Sequence, residues 1–254
     1  MAQIYVVGHK NPDNDSIMAA YTYANLKNMT DADNEYIPVR LGELPAESAM
    51  IFEEYGIDAP ALIEQVSEGD VLVLVDHNEM GQAVDGIEDA EVAEIIDHHR
   101  IADVSTSAPI TFINLPWGST TSIITKLYEY FGIAPDKQIA ACLLSAILTD
   151  TVILKSPTAT EVDAKHVERL AQILGVDSVE FGMKIFKSRG GDDDVSIEDI
   201  CSRDSKEFNF GGKKCWIAQY ETVDLEGLRG RTDDIAAQVA KIQEEGGYDA
   251  ALML

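Results

Sequence analysis

The sequence predicts an α/β protein: a mainly parallel sheet flanked by helices, followed by a smaller α/β domain. Three observations carry this. Val71-Leu72-Val73-Leu74-Val75 is an unbroken apolar run without alternation, the mark of a strand covered on both faces as in a parallel sheet. Val92 to Ile96 repeats that design, and helix-like segments alternate with such runs along the chain. At Ser188-Arg189-Gly190-Gly191-Asp192-Asp193-Asp194 the composition changes, because two glycines and three adjacent aspartates cannot pack into a core. The expected division is a first domain at 1–188, a linker at 189–194 and a second domain at 195–254.

In order, Ile4 to Val7 reads as a strand, and residues 15–27 as a helix. A second strand runs from about Glu35 to Val39, then a polar segment opens a helix to about Tyr55; Leu62 to Val66 is short and ambiguous. After Val71–Val75 and Val92–Ile96, Ile110 to Asn114 is another strand. Gly118-Ser119-Thr120-Thr121-Ser122 leads into a helix reaching about Phe131. Asp136 to Leu148 is a helix with a mostly apolar surface, expected to be deeply buried, and it ends at Thr149-Asp150-Thr151. Thr160 to Leu174 is amphipathic, with His166 on a polar, solvated face. Beyond the linker come a short helix at Ser196 to Cys201, a hairpin (Glu207–Phe210 and Lys214–Tyr220) turning through Gly211-Gly212, and a helix from Thr232 to Glu244. Ala250 to Leu254 begins another strand; ending on it, the second domain is expected to be incomplete.

Composition narrows the function. The apolar fraction of 46% suits a packed protein, and no run approaches a membrane span. Three widely spaced cysteines (Cys142, Cys201, Cys215) suit a reducing compartment, so a cytoplasmic location is expected. A net charge of −26 disfavours nucleic acid as a partner, and it opposes any anionic substrate unless cations mediate the contact.

The chemistry-bearing residues sit just after apolar elements. Gly8-His9-Lys10-Asn11-Pro12-Asp13-Asn14-Asp15-Ser16 places a histidine and two carboxylates on one turn. That pattern suits a divalent metal with nitrogen and oxygen ligands, but equally a turn whose aspartates cap the following helix. Asp76-His77, Asp97-His98-His99 and Asp150 share the placement. In parallel sheets the carboxyl ends of the strands open on one crevice, so four such clusters point to one site. Asp13, Asp15, Asp76 and Asp150 would repel one another without cations, and two divalent ions sharing a carboxylate would offset them.

These motifs (HxNPDxD, DHN, DHH and a helix ending in TDT) resemble the DHH phosphoesterase superfamily. With Gly118-Ser119-Thr120, Lys155-Ser156-Pro157-Thr158 and Ser205-Lys206-Glu207-Phe208, the pattern resembles the family II, manganese-dependent inorganic pyrophosphatases. The resemblance implies a DHH domain followed by a DHHA2-like domain. It implies two manganese ions per site, with cobalt as an alternative and further magnesium or manganese arriving with substrate. His9, Asp13 and Asp76 would hold one ion and Asp15, Asp76, His98 and Asp150 the other. Asp97 would orient a histidine, and His77 would stand one step out from the ions. His99 and Lys206 would contact the phosphoryl groups. The implied reaction is hydrolysis of pyrophosphate to two phosphates by a hydroxide bridging the ions, in a homodimer joined through the first domain. The family's basic segment near the end of its second domain has no match after Arg231, which leaves a truncated metal-binding form with impaired activity as one alternative. Another DHH-type enzyme, acting on polyphosphate, oligonucleotides or cyclic dinucleotides, is a second; it is disfavoured because Gly211-Gly212 and Gly246-Gly247 lack a following histidine.

Overall fold

The computed structural model describes residues 2–189, 195–202, 204–220 and 225–254. The chain forms two compact units, Met1–Ile185 and Phe186–Leu254. Of the linker expected at 189–194, residues 190–194 lie outside the described residues.

The first unit runs β1 (Ala2–Val7), α1 (Asn14–Thr30), β2 (Asn34–Arg40), α2 (Ala46–Tyr55), β3 (Ala61–Leu62), β4 (Val71–Val75), β5 (Glu91–Asp97), β6 (Thr111–Asn114), α3 (Thr120–Tyr130), α4 (Lys137–Asp150), α5 (Glu161–Leu174) and α6, which begins at Ser178 and ends at Ser188. Its six strands are all parallel, in the order β3-β2-β1-β4-β5-β6. The chain order reverses between β1 and β4, the position where an open parallel sheet leaves a crevice at its carboxyl edge. β4 sits centrally, with Leu72 to Val75 fully enclosed, which is why it needs no polar face.

Helix α4 is enclosed from Ile139 to Thr149, and Asp136 caps it by accepting from the Ile139 amide at 2.9 Å. It runs two residues further than its sequence pattern suggests, so Asp150 is its last helical residue. Helix α6 goes against local propensity, because Gly182 lies at its centre. A side chain there would meet Ile153 at 2.8 Å, so close packing rather than intrinsic preference selects the glycine.

In the second unit, α7 (Ile197–Ser202) precedes β7 (Asp204–Phe210) and β8 (Lys213–Gln219), an antiparallel pair. Gly211 and Gly212 make the turn with φ of 62° and 90°, angles that glycine adopts without penalty. After α8 (Leu225–Arg229) and α9 (Thr232–Gly246), β9 (Ala250–Met253) joins β8 in parallel. Cys201, Trp216 and Ala218 form the buried core, against Ile235, Val239 and Ile242 of α9.

Candidate metal centre

Four segments of the first unit meet at the carboxyl ends of β1, β4 and β5. The loop after β1 is folded back onto the start of α1. Asp13 is the residue that caps this helix, accepting from the Ser16 amide at 2.9 Å, while Ser16 Oγ accepts from the His9 amide at 3.0 Å. Gly8 permits the approach, since a Cβ there would fall 2.0 Å from Ser16 Oγ. At the end of β4, Asp76 turns the chain in the left-handed region (φ 63°), a conformation aspartate tolerates better than most residues.

The side chains converge without touching. His9 Nε2 lies 3.6 Å from Asp13 and 3.4 Å from Asp76. His98 Nε2 lies 3.4 Å from Asp76 and 3.4 Å from Asp150. These gaps exceed a hydrogen bond, whereas donors sharing one ion at about 2.0–2.2 Å stand about 3.0–3.5 Å apart. Among the described residues, three groups of donors are close enough to hold an ion: His9, Asp13 and Asp76; Asp15, His98 and Asp150; and Asp76, His98 and His99.

The histidines are oriented for this. His9 Nδ1 faces the Lys10 carbonyl at 2.9 Å, and His98 Nδ1 faces the Trp117 carbonyl at 3.0 Å. A carbonyl only accepts, so each Nδ1 carries a hydrogen and each Nε2 is the nitrogen turned to the centre. Asp97, fully buried, accepts from the His98 and His99 amides and from His99 Nδ1 at 2.9 Å. It therefore orients His99, whose ring is half exposed. His77 is buried edge-on to His9 and gives its Nδ1 hydrogen to the Val75 carbonyl at 2.9 Å; its Nε2 has no partner among the described residues.

Electrostatics favour added cations. Burial raises Asp76 well above the usual carboxylate range, and the Asp15 charge adds to it. Asp150 rises for the same reasons, burial first and then the charges of Asp15, Asp76 and Asp13. Burial works against charge on His9, yet the neighbouring carboxylates of Asp13 and Asp76 push it up to about 11. The hydrogen bond that His99 donates to Asp97 raises its pKa despite partial burial. Without cations such a cluster would hold protons where divalent ions would serve, and a set of imidazole nitrogens and carboxylate oxygens fits manganese, cobalt, zinc or iron.

Sequence reasoning left some contributors unnamed. Asp15 accepts from Ser119 Oγ at 2.8 Å, the Thr120 amide at 2.7 Å and the Thr121 amide at 3.1 Å, all from the start of α3. Thr120 Oγ1 also donates to Asp76 at 2.9 Å. The hydroxyl-rich run at 119–122 was the available signal. His166 corrects an expectation: it is buried, not solvated, packs edge-on to Trp117, and has its pKa lowered by burial. Lys206 is exposed on β7 of the second unit.

The signature of the DHH family, N-terminal domain, matches residues 3–147, and that of the DHHA2 domain matches 183–254. A manganese-dependent inorganic pyrophosphatase of Methanothrix thermoacetophila is 41% identical over 99% of this chain and 80% of its own length. A probable manganese-dependent inorganic pyrophosphatase of Oceanobacillus iheyensis is 44% identical over 100% of this chain and 82% of its own. A crystal structure of a Methanococcus jannaschii protein assigned to the family II inorganic pyrophosphatases superimposes with a TM-score of 0.72. It is 35% identical and covers 99% of this chain and 82% of that one.

Proposed function

The chain belongs to the family of manganese-dependent inorganic pyrophosphatases, and from that premise we propose that it hydrolyses pyrophosphate to two phosphates at this centre. The observation that carries the reading is Asp76, buried between two histidines, with Oδ2 3.4 Å from His9 Nε2 and Oδ1 3.4 Å from His98 Nε2. Asp76 would bridge two manganese ions, with His9 and Asp13 completing one site and Asp15, His98 and Asp150 the other. When bound, such a pair supplies Lewis acidity toward phosphoryl oxygens and an acidified water as nucleophile.

The remaining roles fall to the chain itself. His99 keeps Nδ1 on Asp97 and is held toward its protonated form, so its open edge can donate to a phosphoryl oxygen. The Ser119–Thr121 amides and hydroxyls hold Asp15, and Thr120 holds Asp76, so both carboxylates keep their aim as charge changes nearby. Lys206 of the second unit is assigned to the substrate phosphates, where a flexible ammonium suits a polyanion arriving with magnesium or manganese. In this division the first unit is the catalytic metal-binding domain and the second contributes to substrate.

We take the chain to act as a homodimer through its first unit. Supporting this, β6 is an edge strand with Phe112 42% exposed. A cytoplasmic setting suits three cysteines that are all free, and among the described residues no helix is long and apolar enough to cross a membrane. Net acidity argues against nucleic acid as a partner. The test compares phosphate release from pyrophosphate, tripolyphosphate and a cyclic dinucleotide by manganese-loaded protein. Pyrophosphate should be cleaved fastest; faster cleavage of either alternative would refute the assignment.

A further inference from the structure

We infer that Asp163 is a positioning residue for the metal site built on Asp15, acting through the first turn of α3; this rests on the two-ion reading of the centre. Asp163 lies on α5 and is fully buried. Its Oδ2 accepts from the Gly118 amide at 3.0 Å and its Oδ1 from the Ser122 hydroxyl. Those two attachment points bracket Ser119, Thr120 and Thr121, the three residues that donate to Asp15 and Asp76. One carboxylate therefore grips the turn on both sides of the groups that aim the ligands.

The grip has little play. A Cβ on Gly118 would fall 2.8 Å from Asp163 Oδ2 and 2.5 Å from Thr151 Cγ2, so the backbone there is pressed against both. Thr151 directly follows Asp150, the donor grouped with Asp15 and His98. Asp163 also acts locally, completing the capping box of α5 by accepting from the Thr160 amide at 2.7 Å and the Thr160 hydroxyl at 2.6 Å. The cap alone would need only the Thr160 side. The Gly118 and Ser122 bonds bind a segment some 41 to 45 residues away in the chain.

Displacing the α3 turn rotates two amides and two hydroxyls away from Asp15 and Asp76. Partners of metal ligands are worth about 10–100-fold in metal affinity. The loss should fall most heavily on the site containing Asp15, whose oxygens take three of the four donors, and less on the site containing His9 and Asp13.

The experiment is calorimetric titration of Mn2+ into metal-free wild type, Asp163→Asn, Ser122→Ala and Thr160→Ala, with thermal melts of each metal-free protein. Asp163→Asn should weaken one of two Mn2+ sites by about tenfold or more. Ser122→Ala, which removes one attachment point and favours helix, should weaken the same site several-fold; it carries the test should Asp163→Asn not fold. Thr160→Ala removes the cap, so it should melt lower while both affinities stay within about twofold of wild type. Unchanged affinities in Asp163→Asn and Ser122→Ala, with melting lowered, would make Asp163 a helix cap alone and overturn the inference while leaving the two-ion centre standing. Binding of fewer than two Mn2+ by wild type would instead overturn the reading beneath it.

Discussion

His9 Nε2 and Asp76 Oδ2 stand 3.4 Å apart, too far for a good hydrogen bond and close enough for one ion to touch both. The other oxygen of Asp76 has the same separation from His98. If Asp76 bridges two ions, Asp76→Ala would remove a donor from both and Asp13→Ala from one. Calorimetric Mn2+ titration should therefore show both sites weakened by at least about tenfold in Asp76→Ala, but one site in Asp13→Ala. Equal losses in the two variants would contradict the bridging role.

Ion binding must displace protons. His9, with its pKa pushed up to about 11, is protonated at neutral pH and has to become neutral to coordinate. Titration at pH 7 in two buffers of different ionisation enthalpy should reveal at least one proton released, with affinity rising about tenfold per pH unit for each. A binding enthalpy independent of buffer would contradict this.

His77 gives a pH dependence of the metal-free fold. Burial lowers it to about 4 from an ordinary value of 6.5. The unfolded chain takes up a proton as pH falls through 6.5, whereas the folded chain keeps His77 neutral down to about 4. Its contribution is whole above pH 6.5 and is lost as pH falls across that window, a loss of up to about 3 kcal/mol. His77→Asn keeps a donor near the Val75 carbonyl and removes the titration. Urea unfolding at pH 7 and 4.5 should show a smaller drop for the variant; equal drops would refute the assignment.

Gly182→Ala should destabilise despite the better helix propensity of alanine. The new methyl meets Ile153 at 2.8 Å, and Ile153 lies in a turn where Val152, Ile153 and Leu154 all have positive φ. Overpacking of this kind costs about 1–3 kcal/mol, against about 1 kcal/mol gained from propensity. Thermal melting should fall by several degrees; a rise would show that the turn yields easily.

What the sequence disclosed depends on range. Val71–Val75 and the apolar α4 announce themselves because burial on all sides removes any polar alternation, and Asp76, His98 and Asp150 stand at the ends of such elements. The long-range hydrogen bonds around the centre were hidden. Ser119 reaches Asp15 across 104 residues and Asn14 reaches Thr149 across 135, pairings that no local pattern encodes. Helix α6 was obscured by Gly182, whose reason lies in Ile153. His166 was legible and misread: with Asp163, Val167, Leu170 and Ala171 it completes the buried stripe of α5 at helical spacing.

In the proposed centre, Asp76 would join two ions. Anomalous diffraction at the manganese edge from an Mn2+-soaked crystal tests it most directly. Two peaks should appear about 3.5–4 Å apart, one beside His9 and Asp13, the other beside Asp15, His98 and Asp150, with the Asp76 carboxylate touching both. A single peak, or two peaks that do not share Asp76, would contradict it.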